Sequence, residues 1–227
     1  MSRYVMKFTK NGYVKYTSHL DILRIFKRAF RKIDIHLKYS QGFNPHPKMS
    51  FAQPLSLGYS SQCEWIEFET EKPIDAKLIL EKMQAVMPDG LDPVCCILFE
   101  SSVKSLAAEA ESAEYKVCIP YADPVEEKDL ECWIRSYLER SSIIAMKRQK
   151  KTKLLAPVDI RNQIRYLKGW MEKDTIILSM VLDCGSTSNL SPELVITTFL
   201  EHIGAEIPRY LIEVERTEII FSRNLQL

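Results

Sequence analysis

An α+β fold with antiparallel sheets is what this 227-residue chain predicts, on three observations. Apolar runs of strand length alternate with runs of helical period. Capping residues mark where the helices begin and end. The order strand, helix, strand, strand, helix, strand can be read over residues 3–99 and again from residue 114 onward, which is the βαββαβ, ferredoxin-like arrangement. The expected organisation is two tandem lobes, residues 1–100 and 114–227, joined by a linker at 101–113.

In the first half, "RYVMKFT" (3–9) alternates as a strand, "KNG" (10–12) is a turn, and "YVKY" (13–16) is read as continuing extended. A helix follows. Ser18 is placed to cap it, with Asp21 in a capping-box-like position, and Ile22, Phe26, Ala29 and Ile33 fall on one face beside Leu23 and Phe30. "IDIHLKY" (33–39) reads as extended, "KMSFAQPLSLGY" (48–59) as extended again, and "CEWIEFET" (63–70) as a strand. "DAKLILEKMQAVM" (75–87) is helical and "DPVCCILF" (92–99) a short strand. The Ala- and Glu-rich stretch 100–113 predicts a short linker helix.

The second half repeats the order. "EYKVCIP" (114–120) is a strand, "PVEEKDLECWIRSYLER" (124–140) a helix, and "SIIAMKRQ" (142–149) and "DTIILSMVLD" (174–183) are strands. "SPELVITTFLEHIG" (191–204) is a helix with Ser191 as N-cap, Pro192 at its first position and Gly204 at its end. "RYLIEVERTEIIF" (209–221) is the last strand.

With 46% apolar residues the chain has material for a core. No apolar run approaches the roughly 18–20 residues of a membrane span and the start lacks the pattern of a secretory leader, so the cytoplasm is the expected location. The six cysteines show no metal-ligand spacing and are expected to be reduced, small core residues. There is no P-loop, GxGxxG, HExxH, GxSxG or cluster-binding CxxxCxxC, so no cofactor, metal or catalytic residue is assigned.

The net charge of +1 hides a segregation. Residues 1–50 carry 11 basic and 2 acidic side chains, residues 51–145 carry 8 and 18, residues 146–173 carry 9 and 2, and residues 174–227 carry 3 and 8. Complementary surfaces within one fold would produce such blocks; so would a site for a polyanion. The first basic block includes one helix face with Arg24, Lys27, Arg28, Arg31 and Lys32 and no acidic partner in the pattern. Like charges at i,i+4 cost a few tenths of a kcal/mol each, and a merely solvated face usually mixes signs. The second block, "MKRQKKTKLLAPVDIRNQIRYLKG" (146–169), supplies Lys147, Arg148, Lys150, Lys151, Lys153 and Arg161, then Arg165 and Lys168. Tyr39, Phe43, Tyr166 and Trp170 offer stacking surfaces for unpaired bases beside these cations.

Between helix and strand lies "SQGFNPHPKMS" (40–50). Pro45 and Pro47 fix φ and forbid helix, while Gly42 permits positive φ, so this is a stiff, shaped loop. It is a candidate recognition loop, with Ser40, Gln41, Asn44, His46, Lys48 and Ser50 as donors and acceptors, Phe43 as an aromatic, and Gly42 allowing close backbone approach. A lone His46 does not make a catalyst, since acid–base work needs a partner within hydrogen-bond reach; capping its own turn is the simpler role. Asp159, the acid amid the second basic block, is expected to pair with Arg161, or to orient it toward a ligand, or to act as a nucleophile.

The stretch from Tyr16 to Glu69, with "SHLD" at Ser18–Asp21, "GFNPHP" at Gly42–Pro47 and "PLSLG" at Pro54–Gly58, closely resembles the uncharacterised bacterial radical-SAM-linked proteins. "VDIR" at Val158–Arg161 and "SPE" before the last long helix fit too, so the resemblance spans nearly the whole chain. It implies a radical SAM protein with a cobalamin-binding-like region as partner, encoded beside or fused to the chain, and a genomic neighbourhood of E/G-type ribonuclease and ribosomal proteins. No reaction comes with it. Tandem ferredoxin-like lobes are also similar to the architecture of some repeat-RNA endonucleases and pseudouridine synthases, which is analogy of fold alone.

Together these features lead to the expectation of a non-catalytic RNA-binding accessory protein acting with a radical SAM enzyme in tRNA or rRNA modification or processing. The alternatives are an RNA-acting enzyme using Asp159 or His46, and a protein-docking module for the radical SAM partner without RNA contact.

Overall fold

The structure, a computed structural model, describes residues 2–99, 104–123, 125–149, 152–185 and 187–222. It is α+β with mostly antiparallel pairing and divides into two compact units, Met1–Ala110 with Ile219–Leu227, and Glu111–Glu218.

The first unit contains β1 (Ser2–Lys10), α1 (His19–Lys32), β2 (Met49–Phe51), β3 (Ser60–Thr70), α2 (Ala76–Gln84), β4 (Pro93–Phe99) and a single turn, α3 (Leu106–Glu109). Its strands run β4-β1-β3, with the short β2 on the other side of β3, and every pairing is antiparallel. Alternation on β1 and β3 sends Tyr4, Met6, Phe8, Ile66 and Phe68 to one face, where they meet Ile22, Phe26, Ala29 and Phe30 of α1 and Ile79 and Met83 of α2. The aromatic contacts are close: Phe8–Phe26 centroids lie 4.9 Å apart and Phe30–Phe68 centroids 4.7 Å.

α1 starts as its sequence dictates. The Ser18 hydroxyl accepts the Asp21 N–H at 3.2 Å and donates to the Asp21 carboxylate at 2.6 Å. Asp75 caps α2 in the same way, accepting from Lys77 N–H at 3.1 Å.

The second unit contains β5 (Ala110–Pro120) from Glu111 onward, α4 (Glu127–Leu138), a hairpin β6 (Ile144–Arg148) and β7 (Leu155–Asp159), then β8 (Ile164–Met171), β9 (Thr175–Asp183), α5 (Pro192–Ile203) and β10 (Glu213–Phe221) as far as Glu218. The strand order is β10-β5-β9-β8, with β6 and β7 forming a separate two-stranded sheet. α5 ends as predicted, with Gly204 at φ 68° and Ala205 N–H donating to Leu200 C=O at 3.0 Å. Tyr137 of α4 and Phe199 of α5 meet edge-to-face, and the buried Tyr137 hydroxyl bonds Thr198 Oγ1 at 2.7 Å.

Four local expectations are corrected. "YVKY" belongs to a 3-10 turn, Gly12–Tyr16, leaving Tyr13 and Tyr16 exposed; its alternation buries no side chain, so nothing holds it extended. The linker is helical only over Leu106–Glu109, and β5 begins at Ala110 because Ser112 and Ala113 are buried in the sheet, overriding the helix propensity of alanine; residues 100–103 lie outside the described residues. "SIIAMKRQ" does not join the main sheet but pairs with Leu155–Asp159, and the strand beside β9 is Ile164–Met171. Cys63, Cys96 and Cys184 are buried and Cys95 and Cys118 half-buried, but Cys132 is exposed on α4.

Candidate nucleic-acid interface

Alternation through residues 33–37 buries Ile33, Ile35 and Leu37 and turns Asp34 and His36 outward. The chain then follows the end of β3: Lys38 N–H donates to Glu69 C=O at 2.9 Å, and Glu71 N–H to His36 C=O at 3.1 Å. It returns after the loop, with Lys48 N–H donating to Lys38 C=O at 2.7 Å and Glu69 N–H to Lys48 C=O at 3.0 Å. The excursion between Lys38 and Lys48 is therefore closed at its base by backbone bonds.

Ser40 closes it a second time. Its N–H donates to His46 C=O at 2.8 Å, and its hydroxyl accepts the His46 N–H at 3.0 Å. Beyond that lock, Gln41, Gly42, Phe43 and Asn44 are exposed, with Gly42 at φ 126° and the Phe43 ring bare of any cover (112% relative exposure). His46 is exposed as well. Ser50 lies on β2, opposite Glu67, so the shaped loop ends before it.

A carboxylate fastens the base. Glu69 takes Lys48 Nζ at 3.0 and 3.2 Å and Lys38 Nζ at 3.4 Å, so Lys48 is engaged within the fold instead of reaching outward as expected. Burial pushes the Glu69 carboxyl up, but the bonds from Lys48 and Lys38 outweigh it and hold the group below its ordinary value. A depressed folded pKa contributes stability that is complete above the unfolded value and disappears as pH falls through the folded one. Glu69→Gln is expected to lower the urea midpoint above about pH 5 and to match the unsubstituted protein once the carboxylate is protonated. A difference independent of pH over that range would show that the ion pairs do not anchor the loop.

α1 presents its basic face beside this loop. Arg24 is not partnerless as expected: its guanidinium bonds Asp21 at 2.6 Å. Lys27, Arg28, Arg31 and Lys32 have no ion pair among the described residues. Arg31 and Lys32 sit in the last turn, where the helix dipole favours cations. Lys27 and Arg28 lie upstream of that turn, and Lys82 Nζ already serves the Ile33 carbonyl at 3.4 Å, so the dipole does not account for the whole face.

Lys27 and Arg31, the Tyr39 ring and Pro47 line a single cavity of about 180 Å³. Its remaining polar rim is Asp34, His36 and Glu71. The predicted basic helix and the base of the predicted loop thus meet in one concavity. The three rim residues were missed, although the alternation "IDIHL" is a signal that could have placed Asp34 and His36 together.

In the second unit, Lys147, Arg148 and Lys153 lie on the β6–β7 hairpin or its turn and are exposed, whereas Lys150 and Lys151 lie outside the described residues. Lys147 Nζ reaches Asn189 C=O at 3.4 Å and Arg148 Nε reaches Lys153 C=O at 2.9 Å. Arg161 departs from expectation. It sits in a 3-10 turn and its Nε donates to Leu138 C=O at 2.7 Å, serving the end of α4. Asp159 forms no ion pair with it among the described residues; its Oδ1 accepts N–H from Ile143 and Arg161, both at 3.0 Å, and these bonds hold the carboxyl below its ordinary range.

His19, read only as part of a helix start, packs edge-on against Phe51 at 4.9 Å and shares a cavity of about 20 Å³ with Gln53 and the buried Lys10 and Glu64. That volume suits about one water. Burial lowers the imidazole pKa, opposed by Glu64. No group of residues able to hold a metal ion occurs among the described residues, and no described helix is long and apolar enough to cross a membrane.

Among solved structures, one described as a crystal structure of a Cbf5-Nop10-Gar1 complex matches with a TM-score of 0.55 at 12% identity, over 95% of this chain and 48% of that one. The likeness is of fold, and the chain spans about half the length of that relative. A crystal structure of an unknown protein from Galdieria sulphuraria aligns over 96% of this chain and 98% of its own at 12% identity, with a TM-score of 0.27 that carries no structural argument. No curated protein matches significantly. Residues 3–192, most of the chain and all of the helix, loop and cavity above, match the family described as an uncharacterized protein conserved in bacteria, DUF2344, and the chain belongs to that family.

Proposed function

We propose that the protein is a cytoplasmic, non-catalytic RNA-binding accessory that acts with a radical SAM enzyme in tRNA or rRNA modification. The observation that carries this reading is the unpaired cationic face of α1, Lys27, Arg28 and Arg31, set against a stiff loop that exposes Phe43. Unpaired cations attract a polyanion, and an exposed ring on a fixed loop offers a stacking surface for an unpaired base. The strand orders β4-β1-β3-β2 and β10-β5-β9-β8 support reading each unit as ferredoxin-like, with β6–β7 inserted into the second. The radical SAM partner rests on the sequence resemblance and would supply any radical chemistry.

A second reading has a specific observation behind it. One face of the β6–β7 hairpin, Ile144, Met146, Arg148, Leu155, Pro157 and Asp159, is exposed and apolar at four of its six positions, which suits docking to the partner protein. The enzyme alternative would need His46 or Asp159 to meet substrate, and Asp159 already serves two backbone N–H groups.

The test is a fluorescence titration of the protein against total cellular RNA at several salt concentrations, with pull-down of the partner before and after nuclease. Binding that weakens steeply with salt supports the RNA reading. Salt-insensitive affinity, or partner capture unaffected by nuclease with no RNA bound, overturns it.

A further inference from the structure

The cavity beside α1 is not lined by cations alone. Lys27 and Arg31 border it together with the carboxylates of Asp34 and Glu71. Opposite charges on one concavity ordinarily pair, yet no ion pair among the described residues joins either cation to either carboxylate. Among the described residues, the close contact between charged groups on the rim is His36 Nε2 with Asp34 Oδ1 at 3.4 Å, an ion pair when the imidazole is protonated, between two side chains that are both largely exposed. Glu71 has no side-chain partner among the described residues.

Backbone geometry holds this separation. Asp34 stands at φ 57°, a left-handed conformation uncommon for a residue with a side chain, at the point where α1 stops and the chain turns toward β3. Glu71 is fixed from β3's end by its N–H bond to His36 C=O. Lys27 and Arg31 are one helical turn apart and present two positive heads along the same stripe. Tyr39 and Pro47, joined by an isolated β-bridge, close the side nearest the loop; Phe43 is exposed within that loop and is not part of the cavity lining.

A ligand that satisfies such a rim carries negative charge at one end and hydrogen-bond donors at the other, with a planar body between. Phosphate alone would meet Asp34 and Glu71 unfavourably, and a duplex would keep its base faces stacked and away from Tyr39 and Phe43. An unpaired nucleotide in a single strand has all three parts. Its backbone phosphate suits Lys27 and Arg31, its ring suits the aromatic side, and an exocyclic amino group donates to a carboxylate as cytosine N4 does to Asp or Glu.

We infer that this cavity binds a single-stranded RNA nucleotide whose base bears an exocyclic amino group, with Lys27 and Arg31 on phosphate, Tyr39 on a base face, Glu71 and Asp34 accepting the amino donor, and Phe43 on the loop left to stack on a neighbouring base. The inference rests on the RNA-binding reading and adds that the site is selective against uracil, which offers the two carboxylates a single N3–H donor where an amino group offers two N–H bonds.

The experiment is fluorescence anisotropy of the full chain with labelled oligo(A), oligo(C), oligo(U) and a hairpin duplex of equal charge, alongside total cellular RNA. Oligo(A) or oligo(C) should bind roughly ten- to hundredfold more tightly than oligo(U). Glu71→Ala, with Asp34→Gly as a second variant that keeps the left-handed backbone, should bring the three oligomers together chiefly by weakening the preferred ones. Lys27→Ala and Arg31→Ala should weaken all of them alike. Equal binding of oligo(U) and the others, a preference that survives loss of both carboxylates, or duplex bound as tightly as single strand would overturn the inference while leaving RNA binding in place. Failure to bind any oligomer or total RNA would remove the parent reading itself.

Discussion

The variant carrying Lys27→Ala, Arg28→Ala and Arg31→Ala is expected to bind RNA about a hundredfold more weakly than the unsubstituted protein at moderate salt. The size follows from three charge-assisted contacts at about 1 kcal/mol each, set below the 1.5–3 typical of bonds to charged groups because exposed side chains keep much of their hydration. Counterion release gives an independent readout. Each lost contact to a single strand removes about 0.7 from the slope of log affinity against log salt, so the slope should become shallower by about 2. Arg24→Ala serves as the internal control, since Arg24 is held by Asp21 and its loss should change the slope by less than one contact. These positions face solvent or are half-buried, so the fold should survive, as circular dichroism would verify. An unchanged slope in the triple variant would move the RNA site off α1, whatever the change in affinity.

How much of this was legible beforehand differs by element, for physical reasons. The start and the buried stripe of α1 could be read because the start depends on the local bonds of Ser18 and Asp21 and the stripe keeps the helical period. β8 could not. A register shift between Ile164 and Tyr166 leaves Ile164, Leu167 and Gly169 as its buried residues, which is not the spacing of two that marks a strand. Pro157 similarly disguised β7, where it is tolerated in a hairpin with no third strand. At the candidate site, the basic residues and the stiff loop were visible as composition. The roles of Glu69, Asp34 and Glu71 were not, because each depends on the end of β3 meeting residues 34–48, and no local pattern encodes that meeting. Arg161 and Asp159 show the converse: opposite charges two residues apart suggested an ion pair, but backbone groups near the end of α4 competed for both.

Phe30→Ala is expected to destabilise the protein by about 3–5 kcal/mol, the range for emptying a buried aromatic position. The ring is 1% exposed, stacks at a tilt on Phe68 with centroids 4.7 Å apart, and lies in the core cluster that joins α1 to the sheet. It also lines the cavity beneath Lys27 and Arg31. The same side chain therefore fixes the height of the cationic stripe above β3 and forms part of the pocket wall. Phe30→Leu restores most of the apolar volume and should recover the larger part of the stability, while leaving the wall short of an aromatic ring. Urea unfolding of both variants, with oligonucleotide binding measured under conditions where each stays folded, separates the two roles. A loss below about 1 kcal/mol for Phe30→Ala would mean that α1 is not held to the sheet by this contact. Were Phe30→Leu to regain stability but not binding, the ring itself, and not merely the position of α1, would be part of the site.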